Sequence, residues 1–173
     1  MLKRYLFGLL AALATGLSPS TSAAQTGSAF TEGEADALVQ EHNDARDKVG
    51  VRQRVTWSKD LAQYAQKWAD RIAEAGKLEH RRQGKYGENV AAGPAEPYGA
   101  AESAAAWLKE KEAYDAGKRE PAKVGHYTQM VWSRTTRIGA GKAVIKAGPM
   151  KGWTVVVCNY DPRGNVRGQR PYP

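Results

Sequence analysis

The helical periodicity of this chain ends near Trp132, and both of its strand candidates follow that point. Helices first and strands afterwards imply an α+β domain, with helices packed on an antiparallel sheet. The first helix opens on a capping box, Thr31 with Glu34 three residues later. Leu38, Val39, His42 and Ala45 continue it at helical spacing, and it should end near Gly50. Ser58 caps a second helix, whose apolar stripe is Leu61, Tyr64, Ala65, Trp68 and Ile72, with Gly76 as its stop. A third helix is predicted from about Tyr98 to Asp115, and a short fourth from Gly125 to Trp132. Gln83 to Gly99, rich in glycine and proline, reads as a loop. Arg137 to Lys146 and Trp153 to Tyr160 read as an antiparallel hairpin around the turn at Ala147–Gly152. Gly139 and Gly141 interrupt the first of these strands, where another backbone could approach closely. Pro162, Pro171 and Pro173 keep the tail out of regular sheet.

The beginning of the chain has a different character. Lys3 and Arg4 precede an apolar run, Tyr5 to Leu17, that is short for a bilayer span. Thr21-Ser22-Ala23-Ala24 suits signal-peptidase cleavage, so residues 1–24 are expected to be a signal peptide and 25–173 a single domain. The competing reading of the same run is an anchor that stays attached. No later stretch is long and apolar enough to cross a membrane. The net charge is +8, or +6 without Lys3 and Arg4. The basic residues are scattered rather than clustered with aromatics, so no specific nucleic-acid partner is expected. One cysteine, Cys158, cannot form an internal disulfide. An exported domain without disulfides fits a bacterial periplasmic or secreted protein, most simply a monomer. Cys158 sits in the run Val155-Val156-Val157-Cys158 and reads as an inert core thiol.

Two segments near the C-terminus are the most distinctive: Gly125-His126-Tyr127-Thr128-Gln129-Met130-Val131-Trp132, and Val157-Cys158-Asn159-Tyr160-Asp161-Pro162-Arg163-Gly164-Asn165. They resemble the two signature segments of the CAP superfamily, which includes plant pathogenesis-related class 1 proteins, antigen 5 and cysteine-rich secretory proteins. The resemblance runs from about Glu34 to Pro171. It implies a three-layer α-β-α sandwich with a central antiparallel sheet, in a short bacterial-type member. Eukaryotic members often carry several disulfides, from which this chain departs. Without a cysteine-rich extension it also departs from the members that regulate ion channels.

The chain has three histidines. His42 lies on the apolar side of the first helix and reads as structural. His80 follows the second helix, and His126 opens the fourth. Glu88 is placed between them by sequence. Helical spacing leaves two further candidates open: Glu110 shares a face with Trp107 and Tyr114, and Glu112 with Ala105 and Leu108. The resemblance selects Glu110, three residues after a tryptophan, and implies a central cleft formed by His80, Glu88, Glu110 and His126. Neutral imidazoles are zinc ligands, and a carboxylate on the second ring nitrogen fixes the tautomer. His80 and His126 are therefore the expected ligands of a weakly held divalent metal, such as zinc, with Glu88 and Glu110 behind them. The alternative is a polar network that organises the loop.

Three function classes follow. A hydrolase or protease would use Glu88 and Glu110 beside a metal-bound water, but the chain has no His-Glu-x-x-His motif and no evident third protein ligand. Cys158 lies inside a strand, and Ser103 and Ser133 lack a nucleophile-elbow context. Non-catalytic binding of a small lipid or an extracellular protein is the expectation the resemblance favours. Ala91, Ala92, Gly93, Pro94, Ala100 and Ala101 supply small groove residues for a lipid, or plain packing. The third class works through the tail, whose Asn159 to Tyr172 stretch resembles a plant segment that releases a signalling peptide. The plain reading of that stretch is a strap over the sheet.

Overall fold

The computed structural model describes residues 25–94 and 98–173; the expected signal peptide lies outside the described residues. In chain order the elements are α1 (Glu32–Asp47), β1 (Thr56–Trp57), α2 (Lys59–Ala75), β2 (Gly87–Pro94), α3 (Ala100–Leu108), α4 (Lys111–Asp115), α5 (Pro121–Met130), β3 (Arg137–Val144) and β4 (Trp153–Asp161). Among the described residues, no helix is long and apolar enough to cross a membrane.

The four strands form one sheet in the order β1-β3-β4-β2. β3 and β4 pair antiparallel with Gly141 opposite Val157, and β4 and β2 with Val90 opposite Val157. The exception to the antiparallel pattern is β1, two residues long and parallel to β3. β4 is central, and Thr154 to Tyr160 are all buried. Alternation sends Val155 and Val157 to one face and Val156, Cys158 and Tyr160 to the other. A strand covered on both faces needs a continuous apolar run, which is why this segment was legible as a buried strand.

α2 covers the first face, with Ala65, Trp68, Ala69 and Ile72 against Val90, Val155 and Val157. α1, α3 and α5 cover the second, where Leu38, Ala104, Trp107 and Met130 meet Ile138, Cys158 and Tyr160. The result is the three-layer sandwich. The glycines of β3 let α2 lie on the sheet: a Cβ on Gly139 would stand 2.6 Å from the Ser58 carbonyl oxygen, and one on Gly141 2.5 Å from the Gln66 nitrogen.

The first two helices start where the sequence implies. Thr31 and Glu34 form the reciprocal capping box, Ser58 Oγ accepts from the Leu61 amide, and Gly76 ends α2 in the left-handed region at φ 64°. Three boundaries differ. The glycine-rich segment expected to be a loop contains β2, whose order comes from pairing with β4 rather than from its own propensity. The long third helix is two helices, broken at Lys109-Glu110. The short fourth helix begins earlier, at Pro121, where a proline costs no helical hydrogen bond.

Candidate functional site: two carboxylate-backed histidines

Each of the four cleft residues comes from a different element. His80 lies in the segment after α2, Glu88 near the start of edge strand β2, Glu110 in the break between α3 and α4, and His126 in α5. The edge position of β2 allows groups from both sides of the sheet to meet over it. They meet as two pairs. His80 Nδ1 donates to Glu88 Oε1 at 2.9 Å, and the same oxygen accepts from the Arg81 amide at 3.0 Å. His126 Nδ1 donates to Glu110 Oε1 at 2.7 Å. Glu110 Oε2 accepts from the amides of His126 and Tyr127 at 2.8 and 3.1 Å. The helix break thus sets Glu110 where its carboxylate is filled from α5. Glu112, its rival by spacing, is exposed.

The two imidazoles lie near one another, with ring centroids 6.3 Å apart and an interplanar angle of 29°. Trp107 backs His126 at 6.4 Å, nearly parallel. Because ionised carboxylates only accept, both Nδ1 atoms carry the proton, leaving Nε2 as the acceptor on each neutral ring. No hydrogen bond within the described residues engages either Nε2. The hydrogen bond to Glu88 raises the pKa of His80 above its ordinary value, against partial desolvation. Burial pushes the Glu110 carboxyl up, but the His126 side chain and the Tyr127 and His126 amides outweigh it, and its pKa is lowered.

Among the described residues, the buried polar atoms without a partner include Glu88 Oε2, Trp107 Nε1 and Asn159 Oδ1. Glu88 and Asn159 are opposite one another in the β2–β4 register. Among the described residues no three or more His, Cys, Asp or Glu side chains gather as a ready metal cage. The donors the set could offer a metal are the two imidazole Nε2 atoms, each on a ring with a carboxylate behind it.

His42 is structural, as its position on α1 implied. It is fully buried, its Nδ1 donates to the Leu38 carbonyl at 2.7 Å, and its Nε2 accepts from the Tyr160 hydroxyl at 2.9 Å. Tyr160 in turn accepts from Asn89, which also donates to the His126 carbonyl. This chain of bonds fixes the floor of the cleft from α1 through β4 and β2 to α5. Desolvation holds His42 neutral, with its pKa pulled down to about 4. Burial likewise pushes the Cys158 thiol up to about 12, so it is an inert core group.

The signature residues form the clamp that holds α5 to the tail. Thr128 donates to Asn165 Oδ1 at 2.7 Å, and Asn165 Nδ2 donates to the Gly125 carbonyl at 2.8 Å. Gln129 Oε1 accepts from the Gly164 amide at 2.8 Å, and its Nε2 donates to Thr135, which donates to the Pro162 carbonyl. Asn159 donates to the Gly87 carbonyl at 3.0 Å. Tyr127 packs on Tyr114, and Tyr114 on Tyr172, with centroids 5.5 and 5.9 Å apart. Trp132 is buried, and the Ser133 amide after it donates to the Pro171 carbonyl at 2.7 Å. The tail is a strap. Ala91, Ala92 and Ala100 are packing residues, set against the two cores.

Sequence reasoning noticed Arg46 only as the last residue of a His-Asn-x-x-Arg pattern and gave it no role. Its side chain is fully buried and donates to five backbone carbonyls, those of Gln53, Met130, Trp132, Ser133 and Thr135. Among the described residues no carboxylate forms an ion pair with it; the carbonyls at and after the end of α5 supply negative potential. Desolvation lowers its pKa to about 10, which still leaves it charged at neutral pH. The signal was the cation four residues after His42 on an otherwise buried helix face.

The family model for the cysteine-rich secretory protein family, CAP, matches residues 39–160. Pathogenesis-related protein 1A of Nicotiana tabacum is 41% identical over 134 residues, covering 76% of both chains. Two solved structures share the fold. BmVAL-1 has a TM-score of 0.67 at 24% identity, over 84% of each chain. NaASP2, solved with Zn2+, has a TM-score of 0.65 at 21% identity, over 83% of this chain and 86% of its own. The paired His/Glu cleft is therefore set in a chain that belongs to the cysteine-rich secretory protein family, CAP.

Proposed function

We propose that this CAP protein is exported and acts by non-catalytic binding, and that its cleft takes a divalent metal, zinc as the reference ion, on His80 and His126. One observation carries the metal reading: both imidazoles present the same division of labour, with Nδ1 held by a carboxylate and Nε2 left without a protein partner among the described residues. A carboxylate behind a ligating ring fixes its tautomer and raises its basicity. When bound, the ion would supply a Lewis-acidic charge to a ligand in the cleft. Glu88 and Glu110 orient the rings, and Glu110 ties His126 to the backbone of α5. Two imidazoles make a weaker site than the three or four protein ligands of catalytic and structural zinc. Zinc in NaASP2 is a property of that protein; here the support is the donor chemistry. Export is supported by Lys3-Arg4, the short apolar run and the small residues to Ala24.

Zinc titration by calorimetry at about pH 7.5, where neutral imidazoles are available, tests this. The residue 25–173 form is compared with a His80→Ala/His126→Ala variant, both checked for fold by circular dichroism. One-to-one binding that disappears in the variant is expected. A folded parent that takes up no zinc overturns the metal reading and leaves the tetrad as a structural network.

A further inference from the structure

A second concavity, of about 560 Å3, is lined by Tyr114 of α4, by α5 and by the tail. None of His80, Glu88, Glu110 and His126 lines it. Three arginines do, Arg119, Arg167 and Arg170, and no aspartate or glutamate is among the described lining residues. Some exposed cations elsewhere stand in ion pairs, Arg54 with Asp47, Lys111 with Asp115, Arg137 with Asp161 and Lys146 with Glu74. The side chains of Arg167 and Arg170 are exposed and form no ion pair or hydrogen bond with the described residues. Glu120, next to Arg119, is exposed but does not line the cavity. Arg119 is fixed in place, its guanidinium 4.1 Å above the Tyr114 ring and bound to the Tyr114 and Lys118 carbonyls. The aromatic lining is Tyr114, Tyr172 and Trp132, with the Tyr114 and Tyr172 rings packed on one another at 5.9 Å.

We infer that this tail cleft binds a small organic acid, an anionic group carried on a flat aromatic body. Three guanidinium groups around one concavity focus a positive potential there. Arginine forks match a carboxylate or sulfonate in two-point geometry. The aromatic and proline lining offers apolar contact to the body, and the volume falls within the roughly 300–1,000 Å3 of small-molecule sites. A bare inorganic anion would use the arginines and leave the aromatic walls unfilled. The inference does not depend on the metal reading of the His/Glu cleft.

The probes are 2-naphthoate, its neutral counterpart 2-naphthamide, and inorganic sulfate, each titrated into the residue 25–173 protein by calorimetry. The acid should bind one-to-one, and the amide and sulfate at least about tenfold more weakly, a difference of about 1.4 kcal/mol. Arg167→Gln/Arg170→Gln should weaken the acid by at least about tenfold; since neither side chain bonds to the described residues, the variant should fold. His80→Ala/His126→Ala should leave acid binding unchanged, which separates this site from the cleft. Equal binding of acid and amide, displacement by sulfate at matching concentration, no binding of the acid, or full affinity in the arginine variant would each overturn the inference.

Discussion

Arg46 ties two separate segments to α1, because five carbonyls from those segments converge on one guanidinium. Replacing it by methionine keeps the volume and leaves those buried acceptors without donors. Each such loss costs about 1–3 kcal/mol, not additively, so Arg46→Met is expected to destabilise by at least about 3 kcal/mol in urea melts. Arg46→Lys should recover less than half of that, since an ammonium has three donors and no planar fork. The sequence made the cleft more legible than this residue. His80, Glu88 and His126 stand in recognisable segments, and Glu110 was separable from Glu112 only through the family resemblance. A buried arginine that pairs with backbone leaves no complementary acid in the sequence to point to it.

At the scale of elements, α2 and β3 are matched by what β3 lacks. Gly139→Ala would drive a Cβ into the Ser58–Ala62 backbone, and no side-chain rotation can relieve a backbone contact. It is expected to cost about 1–3 kcal/mol, seen as a lower urea midpoint at unchanged slope. Gly117, at φ 85° with open space around it, is strained by alanine for a conformational reason instead. The glycine pair in β3 was readable as a close approach because glycine in a strand has few other uses. β2 was not readable. Gly87, Ala91, Ala92, Gly93 and Pro94 have weak strand propensity, and the segment is a strand because β4 offers it a complete ladder. The break at Glu110 was hidden for a related reason: the residues around it favour helix, and what interrupts them is a carboxylate drawn to the amides of α5.

Across the whole molecule, the two histidine environments set opposite pH dependences. His42 is buried and neutral, with a folded pKa of about 4 against about 6.5 unfolded. Between those values the unfolded chain binds a proton that the folded chain does not, so stability falls as pH drops from about 6.5 to 4, by about 3 kcal/mol in total. His80 runs the other way. Its folded pKa is raised by Glu88, so its contribution is complete below about 6.5 and is lost as pH rises through the shifted value. The two terms cross near the ordinary histidine pKa, and the maximum of stability should lie close to neutrality. His80→Gln should remove only the loss above about pH 6.5, leaving the acid limb intact. The same proton competes with zinc, which needs neutral imidazoles, so metal affinity should rise with pH over the interval in which the His80–Glu88 pair loses its charge-assisted bond. Thermal melts from pH 4.5 to 8.5, with and without zinc, read both effects. The expected pattern is a zinc-induced rise in Tm that grows with pH in the parent chain and is absent from His80→Gln. A zinc effect of equal size at both ends of the range would show that the cation binds away from these rings.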